Sequence, residues 1–181
     1  MTRLGSARWI SFAAVAALLS IVATTSFAPP AAAADAQLEL LGDPVVVNMV
    51  MLEQALLDLT NADRAMNGLP ALDFDTETLA IARQRAASQL GRDNLSHYDE
   101  RGLLAFVRLL DDAALRYGLA GENLARSSTS DADLMQRIER ALMQSPTHRK
   151  NILERRFARA SIGVANDADG RVAFAEIFRG D

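Results

Sequence analysis

The spacing of apolar side chains changes near the end of this chain, and that change narrows what it can fold into. From Val45 to Met66 apolar residues return every three or four positions, at Val46, Met49, Val50, Leu52, Leu56 and Leu59. That is the period of a helix with one buried face. From Ser161 to Asn166, and again from Arg171 to Arg179, the period is two, with Asp167-Ala168-Asp169-Gly170 between as a turn. Helices first and a strand pair last predict an α+β fold with an antiparallel sheet.

Between these ends the punctuation predicts more helices. Asp43-Pro44 reads as a cap followed by proline at the first helical position, and Asn67-Gly68 ends that first helix. Asp75 is expected to cap a second helix, with Leu79, Ala82, Ala86 and Leu90 on one face and Gly91 after it. A polar loop follows, then a helix from Leu103 to Tyr117. A further helix starts at Thr129 or Ser130 and runs to Ser145-Pro146.

Arg3 and Arg8 are the only charges before Asp35, and an uncharged stretch from Trp9 ends in Pro29-Pro30 and an alanine run. This is the layout of a secretory signal peptide over 1–34, and both Ala32-Ala33-Ala34 and Ala34-Asp35-Ala36 fit a cleavage site. An uncleaved anchor is the alternative, since the stretch approaches a bilayer span. Cleavage would leave a lead-in over 35–44 and one domain over 45–181, with no stable transmembrane anchor. Either way the domain is expected outside the cytoplasm, secreted or in the cell envelope.

Composition excludes several chemistries. The chain has no cysteine, so thiol nucleophiles, iron–sulfur clusters, cysteine-ligated zinc and disulfides are all ruled out. Apolar residues make up 50% of its 181 residues, enough for a packed core to replace disulfides. Net charge is -4, and losing Arg3 and Arg8 leaves 17 basic against 23 acidic side chains. That sign argues against a nucleic-acid partner.

Four segments in order carry a resemblance: LTNADRAMNGLPAL (59–72), SHYDERG (96–102), GENLA (121–125) and SPTHRKNIL (145–153). Together they resemble the CAP superfamily (cysteine-rich secretory proteins, antigen 5 and pathogenesis-related proteins), in its bacterial, SCP-like extracellular branch. The resemblance implies an α-β-α sandwich, a small antiparallel sheet between helices. It also implies a cleft lined by two histidines and one or two acidic residues, which here are His97, Glu122 and His148. Animal and plant members have another glutamate on the helix before the second histidine. Glu139 lies on that helix, and the fourth cleft position stays open. Leu142 stands where many bacterial members have tryptophan.

Two imidazoles and a carboxylate match the ligand set of an open zinc site, so a divalent metal on His97 and His148 is one reading. A buried polar network tying helices to sheet is another. No G-x-S-x-G elbow and no H-E-x-x-H helix is present. Ser96 reads as a loop-closing residue. Asn123 and Asn151 read as structural amides beside the cleft. Glu176 falls in phase with Val172, Phe174 and Phe178, either bordering the cleft or guarding an edge strand. Arg64 reads as solvent-facing, and Arg155-Arg156 as solvated surface. The expected function is a non-catalytic binding module for a small ligand, lipid, glycan, envelope component or divalent ion. The alternative is a metal-assisted hydrolase of peptide, ester or cell-wall substrates using His97, Glu122 and His148.

Overall fold

The structure, a computed structural model, describes residues 44–181. The expected signal segment, its cleavage site, most of the lead-in and Asp43 lie outside the described residues. Helix α1 runs Pro44–Met66 and is followed by the short strand β1, Asp73–Phe74. Then come α2 (Leu79–Ala87), α3 (Ala105–Asp112), β2 (Leu119–Ser127), α4 (Leu134–Gln144), α5 (Pro146–Ile152), β3 (Arg159–Asn166) and β4 (Val172–Gly180). No helix among the described residues is long and apolar enough to cross a membrane.

The sheet order is β1-β3-β4-β2. Strands β2, β4 and β3 are antiparallel neighbours, while β1 adds two residues parallel to β3, so the sheet is mixed at one edge. The alternation seen in the sequence sorts the faces. Val172, Phe174 and Phe178 join Leu56, Leu134, Ile138 and Ile162 in the larger core, under α1 and α4. Ala173, Ala175 and Ile177 point the other way; Ile177 meets Ile81, Ala82 and Phe106 from α2 and α3. The fold is the expected α+β sandwich, with helices on both sides of a four-stranded sheet.

Helix boundaries differ from the sequence reading for identifiable reasons. Asp75 does not cap α2, which starts at Leu79 after a turn. Its carboxylate is buried and grips the Arg179 guanidinium on β4 at 2.8 and 3.0 Å, while Oδ1 also accepts the Glu77 N–H. The expected 103–117 helix is only Ala105–Asp112, because Leu103 belongs to the preceding loop. The helix expected from Thr129 or Ser130 starts at Leu134, and Pro146 opens a separate helix, as proline at a first position allows.

Arg64 is also not on the surface. It is fully buried on α1 and donates to the carbonyls of Pro70, Ile152, Glu154 and Phe157. Arg155 and Arg156 are exposed as expected, Arg156 pairing with Glu154.

Candidate functional site

Strand β2 lies at the outer edge of the sheet and carries Gly121-Glu122-Asn123. Successive strand residues face opposite ways, so Glu122 points toward α2 and Asn123 toward the α1/α4 side. The two polar clusters built on them meet around this edge.

On the α2 side, Arg85 Nε donates to Glu122 Oε1 at 2.6 Å and Arg85 Nη2 to Oε2 at 3.2 Å. His97 Nδ1 lies 2.7 Å from the same Oε2. The Glu122 side chain is wholly excluded from water and that of Arg85 nearly so, while 38% of the His97 side chain is exposed. Glu122 is ionised beside a guanidinium and can only accept, so His97 Nδ1 carries the proton and Nε2 is the ring nitrogen left free.

The loop that delivers His97 is pinned at several points. Buried Gln89 accepts the Ser96 N–H, and Arg85 donates to the Ser96 carbonyl. Ser96 Oγ accepts the Tyr98 N–H, closing the loop as its motif suggested. The Ala105 N–H, at the start of α3, donates to the His97 carbonyl. Gly102 closes the turn at φ +75°, which a side chain would resist.

On the other side, Asn123 Nδ2 donates to Glu176 Oε2 at 2.8 Å and to the His148 carbonyl at 3.3 Å. Asn151 Nδ2 donates to Asn123 Oδ1 at 2.9 Å and to the Glu122 carbonyl at 3.2 Å. Asn151 therefore fixes α5, and with it His148, against the sheet edge. The half-buried His148 ring titrates below the ordinary histidine range. Burial disfavours its cation, and the neighbouring charge of His97 adds to this.

Glu176 is no edge guard. Strand β4 is central, and Glu176 is fully buried beneath α1. Thr60 Oγ1 of α1 lies 3.1 Å from Glu176 Oε1 and 3.1 Å from Glu139 Oε2 on α4. A hydroxyl has one proton to donate, so one of these carboxyls must itself be protonated and donate to Thr60. Glu139 Oε1 is buried without a hydrogen-bond partner, and the nearby Asp63 carboxylate further disfavours the ionised form of Glu139.

Burial, then the charge of Glu176, pushes Glu139 up to about 9. Burial pushes Glu176 up to about 7, against hydrogen bonds from Asn123 and Thr60. The unfolded chain releases these protons near the ordinary value of 4.5, while the folded chain retains them. The folded form thus binds more protons, and stability is full below about pH 4.5 and falls as pH rises toward 9. Urea unfolding should show stability falling steadily as pH rises from about 5 to 9. Glu139→Gln should flatten that slope and exceed wild type in stability at the alkaline end. A pH-independent wild type would contradict the shared proton.

The donor set does not fit a metal centre with three protein ligands. Both Glu122 oxygens are engaged by Arg85 and His97, which leaves two imidazoles. Among the described residues no group of three His, Cys, Asp or Glu side chains is arranged to hold a metal ion. What the arrangement offers is one imidazole oriented by a buried carboxylate, a second held neutral, and two amides.

Sequence reasoning missed Arg85, Gln89 and Thr60. Arg85 sits on the same helix face as Ala82 and Ala86, and a cation on an otherwise apolar face needs a buried carboxylate. That was the available signal. Thr60, one turn after Leu56 on the buried face of α1, carried a weaker one.

The family profile described as "CAP: Cysteine-rich secretory protein family" matches residues 57–178. The chain is 28% identical over 111 residues to the uncharacterized protein YkwD of Bacillus subtilis (strain 168), covering 61% of this chain and 41% of that protein. Its fold matches an extracellular protein containing an SCP domain from Bacillus anthracis str. Ames, with a TM-score of 0.60 and 26% identity, over 74% of this chain and 41% of that one. An outer surface protein of Borrelia burgdorferi shares the fold, with a TM-score of 0.58 and 17% identity over 70% of this chain and 90% of that one. The chain thus spans 41% of the length of each Bacillus protein. With the profile running from the second half of α1 into β4, the chain belongs to the cysteine-rich secretory protein (CAP) family, although it has no cysteine.

Proposed function

We propose that this protein is an exported, non-catalytic binding module whose ligand sits at the β2 edge between His97 and His148. The observation that carries this reading is the Arg85–Glu122 pair. A carboxylate held at 2.6 Å by a buried guanidinium is not free to act as a general base or as a third metal ligand. His97 Nε2 and the neutral His148 ring remain for a small ligand, a glycan or lipid head group, or a weakly held divalent ion. Export is supported by Arg3, Arg8 and the uncharged run after them, and by relatives described as extracellular or outer surface proteins.

The hydrolase reading has one observation in its favour, the His97–Glu122 contact, which orients Nε2 as a carboxylate orients a general base. Neither serine beside a motif histidine is free to act as a nucleophile. Ser96 Oγ is engaged with the Tyr98 backbone, and Ser145 Oγ contacts Thr147. The expected result is no turnover of generic peptide or ester substrates, with or without zinc. Zinc should bind weakly and exchangeably, and that binding should vanish in a His97→Ala, His148→Ala double variant. Robust turnover that is abolished by Glu122→Gln while the melting temperature holds would establish the hydrolase instead.

A further inference from the structure

A cavity of about 340 Å³ opens between α2, the loop after His97, and α3. Arg85, Arg92, Arg101 and Arg108 all line it, with Tyr98 and Asp99. Four arginines lining one cavity raise its local potential, and in a net acidic chain this clustering calls for a counter-charge.

Among the described residues only part of that charge is supplied. Arg85 is matched by Glu122. Arg108 is matched by Asp99 and Asp112, at 3.1 and 2.9 Å. Asp99 has little left to offer the other two. Its Oδ1 accepts the backbone N–H groups of Arg101 and Leu103, its Oδ2 takes Arg108, and these bonds hold it below the usual carboxylate range.

Arg92 uses Nε on the Ser88 carbonyl, and among the described residues its two terminal nitrogens have no hydrogen-bond partner. The Arg101 guanidinium has no hydrogen-bond partner among the described residues, and both residues are exposed. Glu100 is the one lining carboxylate left without an arginine partner. A second cavity adjoins at Arg92 and adds Arg126 and Arg171 to the positive field. Their guanidiniums are already bound to the Gln89, Arg92 and Asp93 carbonyls and to Asp167 and Asp169.

We propose that the first cavity is a subsite for a small organic phosphate, gripped by Arg92 and Arg101 with Arg108 behind them. Two uncommitted guanidiniums match a dianion, and the guanidinium fork matches phosphate oxygens. The volume exceeds what a bare phosphate needs, and the half-exposed Tyr98 ring offers a wall for the organic part. The subsite is separate from the proposed imidazole cleft, although Arg85 lines this cavity and also holds Glu122.

The test is a titration of the purified protein with glucose 6-phosphate, inorganic phosphate and glucose at constant ionic strength. It is read by amide chemical shifts over 98–103 and by calorimetry. Phosphatidic acid vesicles form a further arm. The expected result is saturable binding of the sugar phosphate and weaker binding of phosphate, with none of glucose. An Arg92→Gln, Arg101→Gln variant with an unchanged melting temperature should bind about 30-fold more weakly. His148→Ala, on α5 and away from this cavity, should leave the affinity intact while weakening any ligand of the imidazole cleft, so failure of the imidazole reading would not imitate failure here. No saturation by about 10 mM, equal affinity in the double variant, or binding to vesicles alone would each overturn the proposal.

Discussion

Arg64→Ala is expected to destabilise the domain by about 4 kcal/mol, the range for removing a buried charged group whose partners stay behind. The guanidinium is fully buried and donates four hydrogen bonds to carbonyls. The Ile152 carbonyl ends α5, and Glu154 and Phe157 lie on the connection to β3. Arg64 is therefore the tie between the C-terminus of α1, the helix that carries His148, and the sheet. Alanine would leave these carbonyls in a void too dry to hydrate them. Burial already lowers the pKa of this arginine, with Glu154 as the opposing influence. Thermal unfolding followed by circular dichroism should show a fall of about 15 °C for a domain of this size. Arg64→Lys should recover only part of it, because one ammonium cannot reach the same four acceptors. A fall of under about 5 °C for Arg64→Ala would refute this account.

Gly163→Ala is expected to be comparably severe. A Cβ there would lie 2.1 Å from the Ala82 carbonyl carbon, 2.2 Å from the Arg83 nitrogen and 2.3 Å from the Ala82 oxygen. All three are backbone atoms of α2, so no rotamer change can relieve the clash. Helix and sheet must separate, which pulls Thr78 from Ser161, now 2.8 Å apart, and shifts Arg85 on the same helix. Ordinary overpacking costs about 1–3 kcal/mol, and a rigid backbone partner places this case near 4. Denaturant unfolding should give that loss. The cross-peak of the His97 ring should also move, since Arg85 holds the Glu122 carboxylate against it. Ala82→Gly in the same background should restore little, because the obstacle is main chain. A Gly163→Ala protein of native stability would show that α2 can move away from the sheet at little cost.

The same close approach explains why part of the candidate site could not be read from the sequence. Ala82 and Ala86 were legible as a helix face, and Arg85 between them looked like a break in the pattern. Only the contact of that face with β2 puts Arg85 against Glu122. Sequence spacing carries no information about a contact 37 residues away. Thr60, Glu139 and Glu176 are likewise separated by 79 and 116 residues, and their shared proton exists because three elements meet.

Local physics was enough for the rest. A two-residue period with Asp167-Ala168-Asp169-Gly170 between its halves predicts a hairpin, since alternate side chains must face opposite sides; β3 and β4 pair across that turn. Asn67-Gly68 predicts the end of α1, since a left-handed residue cannot continue the helix; Gly68 stands at φ +68°. Periodicity and punctuation act over a few residues and survive in the sequence. Burial of a charge does not, because it depends on what the rest of the chain brings to that point. Arg64 and Arg155 are both arginines at helix margins, and nothing within a few residues of either says that one is fully buried and the other exposed. Tertiary packing alone made that difference, by placing four carbonyl oxygens around Arg64 and water around Arg155.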